Sequence, residues 1–122
     1  MTRDRILVVD DDESIRQIVR LCLADEGYEV LEAANGEDAL EVLTEAPPNL
    51  ILLDLRMPVM DGWEFARRYR RSPGPHAPIV AFVAALNVEQ EVEGLDSAAI
   101  LSKPFDLDDL LDAVRSQLPL AM

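Results

Sequence analysis

Three runs, Ile6–Val9, Leu50–Leu53 and Ile79–Ala85, contain no polar residue, and this lack of alternation most constrains the fold. A strand with one wet face alternates apolar and polar side chains, whereas a strand apolar at every position must be covered on both faces. Parallel sheets meet that requirement because their crossover helices supply the covers. Helical periodicity lies between the runs. Ile15, Ile18, Val19, Cys22 and Leu23 recur at three- and four-residue steps, as do Leu107, Leu110, Leu111, Val114 and Leu118. Tyr28–Glu32 reads as a short second strand, and Asn35–Gly36 turns into a helix on Ala39, Leu40 and Leu43 that stops before Pro47–Pro48. The segment GWEFARRYRR predicts a third helix, closed by Ser72, Pro73, Gly74 and Pro75. A shorter helix, about Val88 to Leu95, and a last strand around Ile100–Leu101 complete five strand–helix pairs. Short, right-handed connections between such pairs imply a doubly wound α/β sheet with helices on both faces. No repeat, linker or low-complexity stretch divides residues 1–122, so a single domain is expected.

The totals narrow the classes of function. In 122 residues, 49% hydrophobic composition is enough for one core. A formal charge of −13 repels nucleic acid and anionic lipid, so neither is expected as a direct partner. One cysteine, Cys22, cannot form an internal disulfide. No apolar run approaches the roughly 20 residues that span a bilayer. The opening MTRDRILVVD is interrupted by acids and lacks the pattern of a secretion signal, so a cytoplasmic setting is expected.

The first strand runs directly into Asp10, Asp11 and Asp12. In a doubly wound sheet the ligand site lies outside the carboxyl ends of the strands, where strand order reverses. Asp10 and Asp11 stand at that end of the first strand, and Asp54 ends the third. Neighbouring strands lie only about 4.8 Å apart. At about 5 Å and an effective dielectric of about 20, each like-charged pair costs roughly 3 kcal/mol, so the cluster needs a cation or a proton. Hard oxygen ligands with positions left for water suit Mg²⁺. Asp12 and Glu13 have a simpler reading, as the cap and first-turn charge of the following helix. Lys103, in LSKPF at the end of the fifth strand, brings one ammonium with three donors to the same edge, suited to a tetrahedral anion.

In their order and spacing, ILVVDDDES, LLDLRMPVMDGWE and LSKPF resemble the receiver domain of two-component response regulators over essentially the whole chain. The resemblance implies a flavodoxin-like fold with strand order 2-1-3-4-5. It also implies Asp54 as phosphoacceptor, and Asp10, Asp11, Asp54 and the backbone carbonyl of Arg56 as Mg²⁺ ligands. Lys103 would contact the phosphoryl group, and the Lys103–Pro104 bond would be cis. The phosphodonor would be a histidine kinase or a histidine phosphotransfer protein, and the output a contact with a downstream protein. Pairing of two copies stays open. The histidine belongs to the partner; His76, in SPGPHAP, reads as a solvated loop residue.

Two switch positions depart from the family. Its Thr or Ser at the end of the fourth strand maps onto Val83, and neither Phe82 nor Ala84 restores the hydroxyl. Its switch aromatic, three residues before the Lys, maps onto Ile100. A hydrogen bond to a charged group is worth about 1.5–3 kcal/mol, so its loss would shift a two-state switch roughly ten- to a hundredfold. The stretch from Val83 to Lys103 is also about two residues shorter than the family's, and Asp96–Ser97 replaces its Gly–Ala pair, so a short or irregular fourth helix is expected. The alternative function is a receiver-fold binding module whose contacts are largely independent of phosphorylation. Arg56 and Ala85 occupy positions at which receivers tune phosphate lifetime. An aspartyl-nucleophile phosphatase would need a second acid where Arg56 stands, so the chain is not expected to be an enzyme. Arg67, Arg68, Arg70 and Arg71 read as a solvated helix end or a docking patch. Trp63 and Phe65, two residues apart, cannot both face the core, which leaves one for a partner.

Overall fold

The computed structural model describes residues 3–84 and 88–118. Its elements are β1 (Arg5–Val9), α1 (Glu13–Asp25), β2 (Glu29–Ala33), α2 (Gly36–Glu45), β3 (Leu50–Asp54), α3 (Gly62–Arg71), β4 (Ile79–Ala84), α4 (Val88–Val92), β5 (Ala99–Lys103) and α5 (Leu107–Gln117). The five strands pair in parallel in the order β2-β1-β3-β4-β5. This is the flavodoxin-like arrangement implied by the sequence. Ala85, the last residue of the run expected to form the fourth strand, lies outside the described residues.

Residue parity explains the apolar runs. Ile6, Val8, Leu50, Leu52, Val80 and Phe82 face a core shared with Val19 and Leu23 of α1 and Leu110 and Val114 of α5. Leu7, Val9, Ile51, Leu53, Ala81 and Val83 face a second core with Phe65, Ala66 and Tyr69 of α3. Because β1, β3 and β4 are central, both parities are buried and alternation disappears. The outer strands β2 and β5 keep partly exposed positions, and Ile100 is 41% exposed.

Helix starts are set by short polar side chains. Asp12 accepts from the amides of Ser14 and Ile15, as the cap reading requires, while Asn35, Asp61 and Asp106 cap α2, α3 and α5. Among the described residues the short fourth helix spans Val88–Val92 and ends three residues before the expected Leu95; Gly94 and Asp96 then take positive φ of 74° and 56°. Lys103–Pro104 is cis, as the resemblance implies, and Gly74–Pro75 is cis as well.

Gly62 fixes the approach of α3 to the end of β3. Its amide donates to Leu55 O at 2.9 Å, and a Cβ there would lie 2.5 Å from Asp54 O and 2.8 Å from Leu55 Cα. Both obstacles are backbone, so the helix or the strand end would have to shift. Gly62→Ala is expected to cost about 2 kcal/mol as overpacking, read as a lower urea midpoint at unchanged slope.

Candidate functional site

β1 lies between β2 and β3, so the crossover direction reverses there and the carboxyl ends of β1 and β3 open onto one crevice. Val9 is paired with Leu53, which brings Asp10 level with Asp54. Asp10, Asp11 and Asp54 each offer a carboxylate oxygen, and those atoms lie within 4.8 Å of one another. Asp10 is fully buried, Asp54 is buried, and Asp11 faces outward.

Lys103 reaches this cluster from β5. Its Nζ donates to Asp10 Oδ2 at 2.9 Å and stands 3.4 Å from Asp54 Oδ1. Asp10 Oδ1 accepts from the Asp12 amide at 2.9 Å, so both oxygens of this buried carboxylate have donors. The register explains how Lys103 arrives. Asp54 pairs with Phe82, and Ala84 pairs with Lys103, so these side chains share one face of the sheet. Val83 has the opposite parity and is buried in the core beside α3; Ala84 lines the groove that contains Asp54.

One ammonium does not balance three carboxylates. Burial raises the Asp54 carboxyl to about 7, with the charge of Asp10 adding to the rise and Lys103 partly opposing it. Burial pulls Lys103 downward, but hydrogen bonding to Asp10 and the charges of Asp10 and Asp54 outweigh it, so its pKa is raised. A raised carboxyl pKa means that the folded chain holds a proton which the unfolded chain releases. The associated stability is complete below about pH 4 and is lost as pH rises through about 7. In chelator the melting temperature should therefore fall between about pH 5 and about pH 8, and this component should be missing from Asp54→Asn. A divalent cation should reverse the fall, since it binds only the folded cluster.

The cluster opens into a groove of about 880 Å³ walled by Ile15, Ile18, Phe82, Phe105 and Leu107. Arg56, two residues beyond Asp54, and Glu91 of α4 also border it. Arg56 Nε donates to Glu91 Oε1 at 3.1 Å, and its guanidinium lies 5.4 Å above the Trp63 ring. Trp63 Nε1 in turn donates to Glu91 O at 2.7 Å. Phe65 occupies the core, while Trp63 packs partly buried at its margin with its indole nitrogen bonded to α4. Glu91 was missed in the sequence. The available signal was an acid three residues after Val88 and four before Leu95, on their inward face.

Arg67 and Arg68 of α3 pair with Glu64, and Arg70 with Asp96, while Arg71 is exposed at the helix end. Cys22 packs half-buried against the α1–α5 core. His76 is exposed, with its ring at Ser72 O and edge-on to Tyr69, in the connection that leads into the amino end of β4. No helix among the described residues is long and apolar enough to cross a membrane.

The profile of the response regulator receiver domain matches residues 6–115. The chain belongs to this family. Among its relatives, the sporulation initiation phosphotransferase F of Bacillus subtilis is 37% identical over 121 residues, covering 98% of each chain. The response regulator MprA of Mycolicibacterium vanbaalenii is 41% identical over 116 residues, 93% of this receiver but 50% of that protein. The chain thus spans about half the length of its MprA relatives. The chemotaxis response regulator CheY4 of Vibrio cholerae superposes with a TM-score of 0.87 at 38% identity, over 96% of this chain and all of that one. A response regulator from Chloroflexus aurantiacus gives a TM-score of 0.88 at 29% identity over 98% of this chain. Receivers interact with histidine kinases or phosphotransfer proteins and with downstream effectors.

Proposed function

We propose that residues 1–122 form one receiver domain that accepts a phosphoryl group on Asp54, with Mg²⁺ held by Asp10, Asp11, Asp54 and the Arg56 carbonyl, and signals through protein contacts. The observation that carries this reading is the meeting of three carboxylates within 4.8 Å, with the Lys103 ammonium bonded between two of them. An all-oxygen donor set with an excess of negative charge fits a hard divalent cation. When bound, Mg²⁺ supplies charge neutralisation and orientation for the incoming phosphoryl oxygens.

The chain's own residues account for the rest. An Asp54 oxygen attacks phosphorus in line as the P–N bond of the donor's phosphohistidine breaks; the imidazole leaves with the bonding pair and takes up a proton. The transition state is loose, so the protein's task is to position and to neutralise. Lys103 aims its ammonium at the position where phosphoryl charge arrives, while Asp10 holds the Lys103 side chain there. The apolar groove walls carrying Ile15, Ile18 and Leu107 suit a partner that brings its histidine over Asp54, and the exposure of Ile18 and Leu107 supports this.

Incubation with acetyl phosphate and Mg²⁺ should give a single hydroxylamine-labile phosphoryl adduct on Asp54; a chain that stays unlabelled overturns the reading. A second reading, a binding module of receiver fold working largely without phosphate, is favoured by the switch positions. Val83 offers no hydroxyl and packs away from the groove, and Ile100 puts no aromatic ring on β5. Partner affinity that is equal before and after labelling would select it.

A further inference from the structure

We propose that the Arg56 guanidinium carries the signal from Asp54 to α4, by leaving Glu91 for the phosphoryl oxygens and thereby unfastening that helix. The inference rests on Asp54 being the phosphoacceptor.

Glu91 is 8% exposed and is one of three buried charged side chains among the described residues; the other two, Asp10 and Asp54, belong to the acidic cluster. Arg56 reaches Glu91 Oε1 through both Nε and a terminal nitrogen at 3.1 Å, yet its own side chain is 72% exposed. With Trp63 under the guanidinium and bonded to the Glu91 carbonyl, the β3–α3 loop, α3 and α4 meet in one joint. Arg56 and Glu91 border the same groove as Asp54 and Lys103.

Phosphorylation changes the competition for Arg56. A phosphoryl group adds strong acceptor oxygens and about two negative charges, and a guanidinium binds phosphate with two parallel donors. Lys103 is already bonded to Asp10, so it leaves part of that demand unmet. Arg56 is the nearest cation along the chain, and its exposed side chain can turn without repacking a core. Once it turns, Glu91 is a buried carboxylate without its counter-ion, and the helix must shift to let water reach it. Among the described residues α4 spans Val88–Val92, far below the length at which a helix holds itself together, so its position depends on such side-chain contacts. Transmission by charge needs neither a hydroxyl at Val83 nor a ring at Ile100.

Trp63 is the only tryptophan, so emission reports this joint directly. Emission and amide exchange of residues 88–92 would be followed in Mg²⁺ with and without acetyl phosphate, with the acyl phosphate quantified in the same samples. In the wild-type chain, phosphorylation should change the emission and speed exchange in α4 on the order of tenfold. Glu91→Gln should exchange quickly before phosphorylation and show no further rise, whereas a purely structural role for Glu91 would leave the phosphate-dependent rise intact. Acyl phosphate formed with emission and exchange unchanged overturns the relay alone, as does a full response in Glu91→Gln. Absence of acyl phosphate removes the phosphoacceptor reading and the relay together. Should Glu91→Gln fail to fold, Arg56→Gln decides instead: its side chain is 72% exposed, and a full phosphate-dependent rise in that variant overturns the relay.

Discussion

Asp54→Asn should form no acyl phosphate at all, and it should melt at a higher temperature than the wild-type chain in chelator above about pH 7. The two halves of this result have one origin. A carboxamide keeps the shape of the side chain but has no anionic oxygen to attack phosphorus, so the loss is complete rather than graded. The same change removes one negative charge from a cluster whose ligand atoms lie within 4.8 Å of each other. At such separations each like-charged contact costs roughly 3 kcal/mol at an effective dielectric of about 20. The repulsion is strongest once Asp54, held near 7 by burial and by Asp10, has lost its proton. The variant should also show a weaker rise in melting temperature on adding Mg²⁺, because one of the proposed oxygen ligands has lost its charge. Calorimetry in chelator and in Mg²⁺, run beside acyl phosphate quantification, checks both halves. A variant that is inactive because it is unfolded would fail the calorimetric half.

Lys103→Met should lose stability and reactivity together. Asp10 is fully buried, and its two oxygens are served by the Asp12 amide and the Lys103 ammonium. Removing the ammonium leaves a buried carboxylate with one backbone donor, beside two further acids. Breaking a buried ion pair in this way costs about 3 kcal/mol or more, so the urea midpoint in chelator should drop clearly below that of the wild type. Mg²⁺ should recover much of the loss, because a cation in the acidic cluster answers the same uncompensated charge. Recovery of the phosphorylation rate should be far smaller. Removing one preorganised charge-stabilising donor typically slows reaction by about 100-fold or more, and a cation held by the carboxylates does not restore the directed hydrogen bonds that the Lys103 ammonium would donate to phosphoryl oxygens. Equal rates in wild type and Lys103→Met would show that Lys103 serves folding alone.

Central strands and the acidic cluster were readable in the chain because their physics is local. A run such as Leu50–Leu53 can be apolar at both parities only when both faces are covered, and acids at the carboxyl ends of parallel strands stand at one edge of the sheet, where the pairing of β1 with β3 brings them together. The caps Asp12, Asn35, Asp61 and Asp106 act within one helical turn, which is why the helix starts were close to their expected places. Edge strands were read less well: β2 runs Glu29–Ala33 where Tyr28–Glu32 was expected, and β5 extends from Ala99 to Lys103 around the expected Ile100–Leu101. Their partly exposed faces weaken the apolar signal that marks their ends.

Side-chain partnerships across elements were settled only by packing. Nothing local says that Glu91 of α4 will meet Arg56, 35 positions earlier, or that Trp63 will cover the pair instead of standing free. Nor does the motif that places Val83 at a switch position say that the pleat turns it toward α3 while Ala84 lines the groove. Local pattern encodes which face of an element is apolar and where the element stops. Which helix lies over which loop follows from the sheet's strand order and from how far each helix extends across it, and those quantities exist only once the chain is folded.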